Sequence, residues 1–408
     1  MSVSEGSLMR TSRLNGFWHL LRFAAAIVIF SGWIPSALAV TYYVRTTGND
    51  ANTGLTPGAA LRTINRAFNK ATRGSVVYVG AGTYSENFAN PRNGTAALPI
   101  SFHADVTGAR TGDAGVVRLS DTSGNGISMS SRSYLTFDGF VITAPTNVVY
   151  ATKAKFIRFV NCTMSSGSGS CAYVTTASNV TFIGCTMSGC GGAGITVLAG
   201  STVAFTSGEI ASVGGACVSS PSGANVVTVE RSILRDSGGG GVSAASGTIK
   251  VTCCLLRSVG TAISVSGTSA AVWNNTIVNC STAASFSCTT TFANNIVSQV
   301  STGLSRTGSA VLTHRNNLYF SNGTNYSGCS AGTGDIYLTP GFISSTNWDI
   351  GPSSRAINAG ADATGTHSAD LDGHVRPYGG GWDIGCYEYG SLAVPKPVLV
   401  GWTQVGPG

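Results

Sequence analysis

Short runs of alternating apolar and polar residues recur along this chain at a regular spacing. The apolar residue before a short polar or cysteine step occupies nine equivalent positions: Phe137, Phe159, Phe182, Phe205, Val229, Val251, Val272, Phe292 and Leu312. The eight intervals between them average about 22 residues, which is a repeat period. Each unit holds three short strand-like runs separated by turns. The pattern predicts an all-β solenoid in which each strand pairs with its copy one coil further on.

Alternation within a strand predicts which side chains face the core. Phe182 and Ile195 are expected inside the coil, and Thr181 and Thr196 outside. One column follows each core position closely: Cys162, Cys185, Gly208, Ser232, Cys254, Asn275, Asn295 and Asn317. We expect its Asn residues to sit in a tight left-handed bend and to bond from coil to coil through their amides. The Cys residues should fill the same position by packing.

The outward positions of one strand per coil predict a hydroxyl-rich face. The assigned positions are Ser128, Tyr173, Thr196, Ser243, Ser264, Ser285 and Ser305. No carboxylate cluster is found among them. Tyr173 and Trp273 are expected to point outward, where aromatic rings can stack on sugar rings.

Composition narrows the class of protein. Charged residues make up 10% of the chain and apolar residues 43%, which excludes a disordered polyelectrolyte. The 54 Gly and the many β-branched residues argue against a helical bundle. A net charge of +7 over 408 residues gives no support for nucleic-acid binding. The 11 Cys are odd in number, and Cys162 and Cys185 are expected to be free, buried thiols.

The first 39 residues have the pattern of a secretory signal. Arg10, Arg13 and Arg22 precede the apolar run 23–30, and a small-residue cleavage sequence ends at Ala39. The run is shorter than the ~20 apolar residues that span a bilayer, so no transmembrane segment is expected in the mature chain. We therefore predict a secreted protein that is extracellular or at the cell surface, with the periplasm as the alternative.

Segments at both ends of the solenoid are predicted to cover it. Apolar residues Ile64, Ala67, Phe68 and Ala71 have helical spacing, and Thr63 is placed to cap the helix. We expect this short helix to cover the N-terminal core. The predicted boundaries are 40–334 for the β-helix with this cap, 335–390 for a C-terminal closing module and 391–408 for a tail.

The Asn columns, the Gly-Ile-x-Val strands and the period resemble the right-handed parallel β-helix of the pectin-lyase-like superfamily. Two segments extend the resemblance to exported β-helix proteins, among them polysaccharide lyases of families nine and six. They are the N-terminal run from Tyr42 to Tyr84, with Gly48-Asn49-Asp50, and the C-terminal run from Asp370 to Tyr389. The resemblance implies the fold and leaves the activity open.

Calcium-dependent lyases of this superfamily gather acidic side chains on one outer strand face and use a Lys or Arg base. The hydroxyl-rich face of this chain has no such cluster, so no metal site is predicted, and calcium is implied only for a lyase. Asp370, Asp372, Asp383 and Glu388 are interpreted as turn-stabilising residues. In a lyase, the base would come from this set: Lys153, Lys155, Lys250, Arg235 and Arg257.

Three hypotheses for function follow. The first is an exported protein that binds an extracellular or envelope polysaccharide, anionic or neutral, without nucleic-acid partners. Its predicted contacts are Tyr173, the group Arg235, Asp236 and Arg257, and the pair Lys153 and Lys155. The second is a polysaccharide lyase that cleaves a uronate glycan by β-elimination. The third is a structural surface stalk or adhesin.

Overall fold

The computed structural model describes residues 39–390. The predicted signal segment, apart from its last residue, and the predicted tail 391–408 lie outside the described residues. Within them, no helix is both long enough and apolar enough to cross a membrane.

Three parallel sheets form the coil, as the period predicted. Sheet A contains the strands Thr41–Val44, Val76–Val79, Ile100–Ala104, Ser133–Asp138, Lys155–Val160, Asn179–Ile183, Thr202–Thr206, Val226–Glu230, Thr248–Thr252, Ser269–Trp273, Thr289–Ala293 and Leu312–Arg315. Sheet B contains Gly82–Tyr84, Val117–Ser120, Val141–Thr143, Thr163–Ser165, Thr186–Ser188, Glu209–Ala211, Ile233–Arg235, Leu255–Arg257, Thr276–Val278, Ile296–Ser298 and Leu318–Phe320. Sheet C contains Phe88–Ala89, Ile127–Ser130, Val149–Thr152, Ala172–Thr175, Ile195–Leu198, Val218–Ser222, Val242–Ala244, Thr261–Val265, Thr282–Phe286, Thr302–Arg306 and Thr324–Ser327. The parallel β-helix with coils of about 22 residues is confirmed.

Stacked phenylalanines form much of the core. Ring centroids lie 5.2 Å apart between Phe137 and Phe159 and 5.4 Å apart between Phe159 and Phe182, with nearly parallel planes. All three side chains are buried. Each such burial stabilises the fold by about 1.5–3 kcal/mol, and the stacking adds roughly 0.5–1.5 kcal/mol per pair. A regular period thus becomes a continuous core because identical residues face identical neighbours.

The bend between sheets A and B differs from the prediction by one residue. The left-handed position, with φ from 48° to 63°, belongs to Asn161, Gly184, Ser207, Arg231, Cys253, Asn274, Asn294 and Asn316. The column predicted to adopt that conformation comes immediately after it and is turned inward by the bend. Its coil-to-coil amide bonds are confirmed, because the Asn275 amide donates to Oδ1 of Asn295 at 3.0 Å. The thiols of Cys162 and Cys185 fill the same position in earlier coils.

The short helix α1, Ile64–Lys70, covers the N-terminal core as predicted. Thr63 Oγ1 accepts a hydrogen bond from the Arg66 N–H at 3.2 Å, which satisfies one free donor of the first turn. Ile64, Ala67 and Phe68 are buried, and the Phe68 ring meets Phe102 edge-on at 4.9 Å. A single-turn 3-10 helix, Pro57–Ala59, precedes it.

The C-terminal segment, residues 335–390, does not simply close the end of the coil. It runs back along the flank, where side chains of the left-handed column hold it. Asn316 donates to the Ala359 carbonyl at 3.0 Å, and Asn274 donates to the Asp383 carbonyl at 2.8 Å. The outer face of sheet B is apolar there, at Leu255 and Ile296 among others, and needs this cover. The boundary at 334/335 stays a prediction.

Trp273 corrects a second expectation. Its side chain points away from the coil interior but is only 8% exposed, because Ala363 and Trp382 of the C-terminal segment pack against it. Trp273 is therefore unavailable as a sugar-stacking surface. Alternation predicted the direction of the side chain correctly, but not the distant segment that covers it.

The eleven cysteines divide into one disulfide and nine thiols. Cys171 and Cys190, in neighbouring coils, are joined with their Cα atoms 5.7 Å apart. Cys162 and Cys185 are free and buried, as predicted.

Candidate functional site

The hydroxyl-rich face lies on sheet C with the predicted register. One outward column passes through successive strands: Ser128, Tyr150, Tyr173, Thr196, Ser219, Ser243, Ser264, Ser285 and Ser305. No carboxylate belongs to this column. This column is therefore polar and uncharged, and it lacks the carboxylate ligands that a calcium ion prefers.

Two tyrosines interrupt the hydroxyl column. Tyr150 and Tyr173 stack with ring centroids 5.6 Å apart and planes 10° apart. Each ring covers one face of the other, so the remaining faces look along the solenoid toward Ser128 and Thr196. A sugar ring stacking here would lie beside the pair, above one of these hydroxyls.

Arg235 and Arg257 lie side by side on sheet B, in register as predicted. Arg235 is held by two carboxylates, Glu209 at 2.5 Å and Asp236 at 2.5 Å. The hydrogen bond that Arg235 donates to Asp236 raises the pKa of Arg235, and burial lowers it. The Arg257 guanidinium approaches Asp236 only at 4.0 Å. Two carboxylates thus compensate the charge of Arg235, whereas within residues 39–390 the Arg257 guanidinium forms no hydrogen bond shorter than its 4.0 Å contact with Asp236.

Glu209 is a site residue that the sequence did not reveal. It begins the strand before that of Arg235 and faces outward beside Ile233. No charged residue lies near Glu209 in the sequence, because its partner Arg235 is 26 positions away. Alignment by strand register, rather than by sequence distance, would have found it.

A groove runs beside these arginines, between sheet B and the C-terminal segment. Its first part is a cleft of about 350 Å³ with Arg257 on one side, Asn347 and Tyr387 on the other, and an apolar floor at Leu255. A second cleft of about 440 Å³ continues past Ser298, Gln299 and Phe320. Both clefts border Trp348. We call this feature, from Glu209 to Phe320, the sheet B groove.

The sheet B groove reaches along the solenoid axis from the strand of Glu209 to that of Phe320, five strands further on, as two separate clefts whose linings share only Trp348. Five strand spacings give it a length of about 24 Å. Its Glu209 end carries paired charges, and its Phe320 end presents amides, hydroxyls and aromatic rings. Two clefts in line suit successive units of a linear polymer, and each also has the volume of a small-ligand pocket.

The predicted contact residues lie on three separate surfaces. Tyr173 belongs to the sheet C face, and Arg235, Asp236 and Arg257 belong to the groove. Lys153 and Lys155 are exposed at the corner between sheets C and A, where the Lys155 ammonium donates to the Ala177 carbonyl. Among the lyase-base candidates, Lys250 lies against the C-terminal segment and donates to the Thr366 carbonyl at 2.5 Å.

Carboxylates of the C-terminal segment bind backbone N–H groups. Asp383 accepts from Asn358 at 2.7 Å and from Tyr389 at 2.6 Å, and Asp370 accepts from His374 at 2.7 Å. Burial raises the pKa of Asp383 to about 6, although these hydrogen bonds lower it. Across residues 39–390, no group of three or more His, Cys, Asp or Glu is arranged to hold a metal ion.

An imidazole–carboxylate pair on sheet A was also missed. His103 Nδ1 lies 3.2 Å from Asp138 Oδ2, and both side chains are about one third exposed. Tyr78 lies in register beside His103, with ring centroids 5.7 Å apart. The 22-residue period fails here because the loop 105–116 lengthens the coil, so the register was hidden in the sequence.

Comparisons with known proteins agree with this architecture. A family model described as a right handed beta helix region matches residues 111–256. Pectate lyase PEL9 of Emericella nidulans is 35% identical over 81 residues, which are 19% of this chain and 20% of that protein. The chain thus matches about one fifth of the length of that relative.

The solved structure of pectate lyase Pel9A is similar over 85% of this chain and 96% of that one, with a TM-score of 0.62 and 15% identity. A rhamnogalacturonan lyase matches 74% of this chain and 90% of its own, with a TM-score of 0.43 and 14% identity. The likeness to Pel9A concerns the fold alone. With three parallel sheets, an inner Asn ladder and the match to a right handed beta helix region, the chain is a right-handed parallel β-helix, and its fold is that of pectate lyase Pel9A.

Proposed function

We propose that this chain is an exported protein that binds a linear polysaccharide in the sheet B groove. The observation that carries the proposal is the alignment of two open clefts along the solenoid axis, which together reach from the strand of Glu209 to that of Phe320. Its walls combine aromatic rings with hydroxyl, amide and guanidinium donors. Sugars need this combination, because their ring faces pack on aromatic surfaces and their hydroxyls need hydrogen-bond partners.

The free donors of Arg257 extend the proposal to acidic glycans. A guanidinium binds carboxylate or sulfate through two parallel hydrogen bonds, and Arg257 has only Asp236 near it, at 4.0 Å and already bonded to Arg235. Arg235 serves mainly to position the local charges, since Glu209 and Asp236 already occupy it. Uronate polymers are therefore the first glycans to test.

The sheet C face offers a second polysaccharide surface through Tyr150 and Tyr173. No residue of its outward column lines either cleft, however, and an open face excludes less water from a ligand than a cleft does. We place the main contact in the groove and treat Tyr173 as the residue that distinguishes the two surfaces.

Affinity electrophoresis of the purified mature chain through gels containing polygalacturonate tests the proposal. Arg257→Ala should weaken retardation about tenfold, because a charge-assisted contact is lost. Tyr173→Ala should retain wild-type binding. Arg355→Ala removes an exposed cation outside the groove lining and is the matched control. If Tyr173→Ala abolishes binding and Arg257→Ala does not, the sheet C face is the site.

A polysaccharide lyase is the second candidate, favoured by the matched segment of pectate lyase PEL9. In that case a base chosen among Lys153, Lys155, Lys250, Arg235 and Arg257 would remove the proton next to a uronate carboxylate, with calcium as cofactor. Ultraviolet absorbance of uronate polymers incubated with the protein, with and without calcium, reports the new carbon–carbon double bond. A calcium-dependent rise identifies a lyase. No absorbance change and no retardation leave the structural stalk as the interpretation.

A further inference from the structure

Two aromatic residues stand at the corner where the chain passes from sheet C to sheet A. Tyr134 and Phe156 occupy equivalent positions in successive coils, and their rings stack at 4.8 Å with planes 16° apart. Phe156 is 51% exposed, although it is large and apolar. The pair is thus an aromatic surface in contact with solvent.

The backbone under both rings is left-handed. The φ angle is 57° at Tyr134 and 56° at Phe156, a region that costs L-residues roughly 1–2 kcal/mol each. Other left-handed positions in the described chain hold small or polar residues in most cases, and no other aromatic residue. In the next coil, Asn179 takes the equivalent place without a positive φ. Unfavourable conformations kept by bulky residues concentrate at functional sites.

Four cations lie within three residues of Tyr134 or Phe156 in the chain: Arg132, Lys153, Lys155 and Arg158. Within residues 39–390, none of them forms an ion pair. The Nε atoms of Arg132 and Arg158 are buried and lack a hydrogen-bond partner. The nearest acids in the sequence are engaged elsewhere, Asp138 with His103 and Asp121 with the Ser123 N–H at 2.7 Å.

We propose that this corner, which we call the basic aromatic corner, binds an acidic polysaccharide. The apolar face of a sugar ring would pack on Phe156, and its carboxylate or sulfate would meet Lys153 and Arg158. The uncompensated positive charge favours an anionic polymer over a neutral one. The inference adds a second surface to the proposed function, on a different side of the coil from the sheet B groove, so each site can fail without the other.

Replacing the rings by glycine separates binding from folding. Phe156→Gly and Tyr134→Gly remove the rings and relieve the left-handed strain, so the variants should unfold at a urea midpoint equal to or above that of the wild type. Retardation by polygalacturonate should nevertheless fall at least fivefold in an Arg257→Ala background, where the contribution of the groove is reduced. Ala177→Gly is the matched control, because Ala177 is left-handed at φ 54° in the next corner and has no ring.

Substitutions that change the charge of the basic aromatic corner form the second part of the experiment. Lys153→Ala should weaken retardation severalfold, Lys153→Arg should restore it, and a neutral dextran gel should retard none of the proteins. The proposal is overturned if Phe156→Gly keeps full retardation or if Ala177→Gly loses as much. It is also overturned if Phe156→Gly clearly destabilises the fold, since the ring would then be structural. Binding to vesicles of anionic lipid without retardation by polygalacturonate would reassign the corner to a membrane surface.

Discussion

The Asn295 side chain links two neighbouring coils, because its Oδ1 accepts from Asn275 at 3.0 Å while its amide donates to Asn317 at 3.1 Å. All three residues are fully buried. Such a ladder satisfies backbone donors as well, since the Asn275 N–H also donates to Asn295 Oδ1. Loss of one Asn therefore leaves buried polar groups of both neighbouring Asn residues without a hydrogen-bond partner.

Asn295→Ala should therefore lower the free energy of unfolding by about 3 kcal/mol, through several unsatisfied buried groups and a small cavity. Urea denaturation followed by circular dichroism measures the change. Thr313→Ala removes an exposed hydroxyl from the outer face of sheet A and should alter stability by less than about 0.5 kcal/mol. Equal effects of the two substitutions would refute a structural role for the ladder.

The buried ion pair between Arg376 and Glu388 fastens the C-terminal segment. Arg376 Nε lies 2.7 Å from Glu388 Oε2, and neither side chain is exposed. Arg376→Met should cost about 3–5 kcal/mol, because Glu388 would remain charged and buried. The double variant Arg376→Met with Glu388→Leu should recover only part of this loss. Glu388 also accepts from the N–H groups of Tyr378 and Asp383, which lose their acceptor. If urea titrations show that the double variant recovers the full stability, the loss of the acceptor for these two N–H groups has no measurable cost.

The cysteine arrangement predicts a definite thiol count. In denaturant without reductant, nine thiols should react with a chromogenic disulfide reagent, and all eleven after reduction. Cys171→Ser with Cys190→Ser opens a loop of 19 residues and should cost about 2–3 kcal/mol. Cys280→Ser, at a buried free thiol, is the control, and its thiol count should fall by one without reduction. A count of one thiol before reduction would mean a disulfide framework instead.

The sequence predicted the features that repeat and missed those that do not. Phe159 and Phe182 mark a period, and the period alone dictates parallel stacking, the core and the register of Tyr173 on sheet C. Glu209 could not be assigned to Arg235 without that register. Trp273 shows the second limit, because the segment that buries it is about 100 residues away and carries no periodic signal. Contacts between the repeat and the non-repeating C-terminal segment cannot be predicted from the periodic pattern.

The same reasoning explains the basic aromatic corner. Lys153 and Lys155 were recognised from their charge, but Tyr134 and Phe156 look like ordinary strand residues in an alternating pattern. Their exposure follows from a left-handed backbone at the start of each strand, which interrupts the alternation. Sequence patterns report the preferred conformation of a residue, so they overlook a position where the residue is held in an unfavourable one.

His367 makes the stability of the C-terminal segment sensitive to acid. Its ring is buried against Trp382 at 5.1 Å, and its Nε2 has no hydrogen-bond partner. Burial, followed by the nearby charges of Arg376 and Lys250, lowers the pKa of His367 to about 3. His367 of the unfolded chain therefore binds a proton as the pH falls through 6.5, whereas His367 of the folded chain binds one only near pH 3. This contribution to stability is complete above pH 6.5 and is lost as the pH falls toward 3.

Asp383 acts in the opposite direction, because its folded pKa of about 6 lies above the ordinary value of 3.8. Its contribution favours the folded state at low pH and declines as the pH rises from 4 to 6. The contributions of these two groups therefore oppose each other in the wild type over this range. His367→Phe keeps the aromatic contact and removes one of the two groups. Relative to the wild type, the variant should gain about 1.4 kcal/mol of unfolding free energy per unit of pH decrease between pH 6 and 4. Urea titrations of both proteins at half-unit intervals test this, and parallel profiles would show that His367 is protonated in the folded chain.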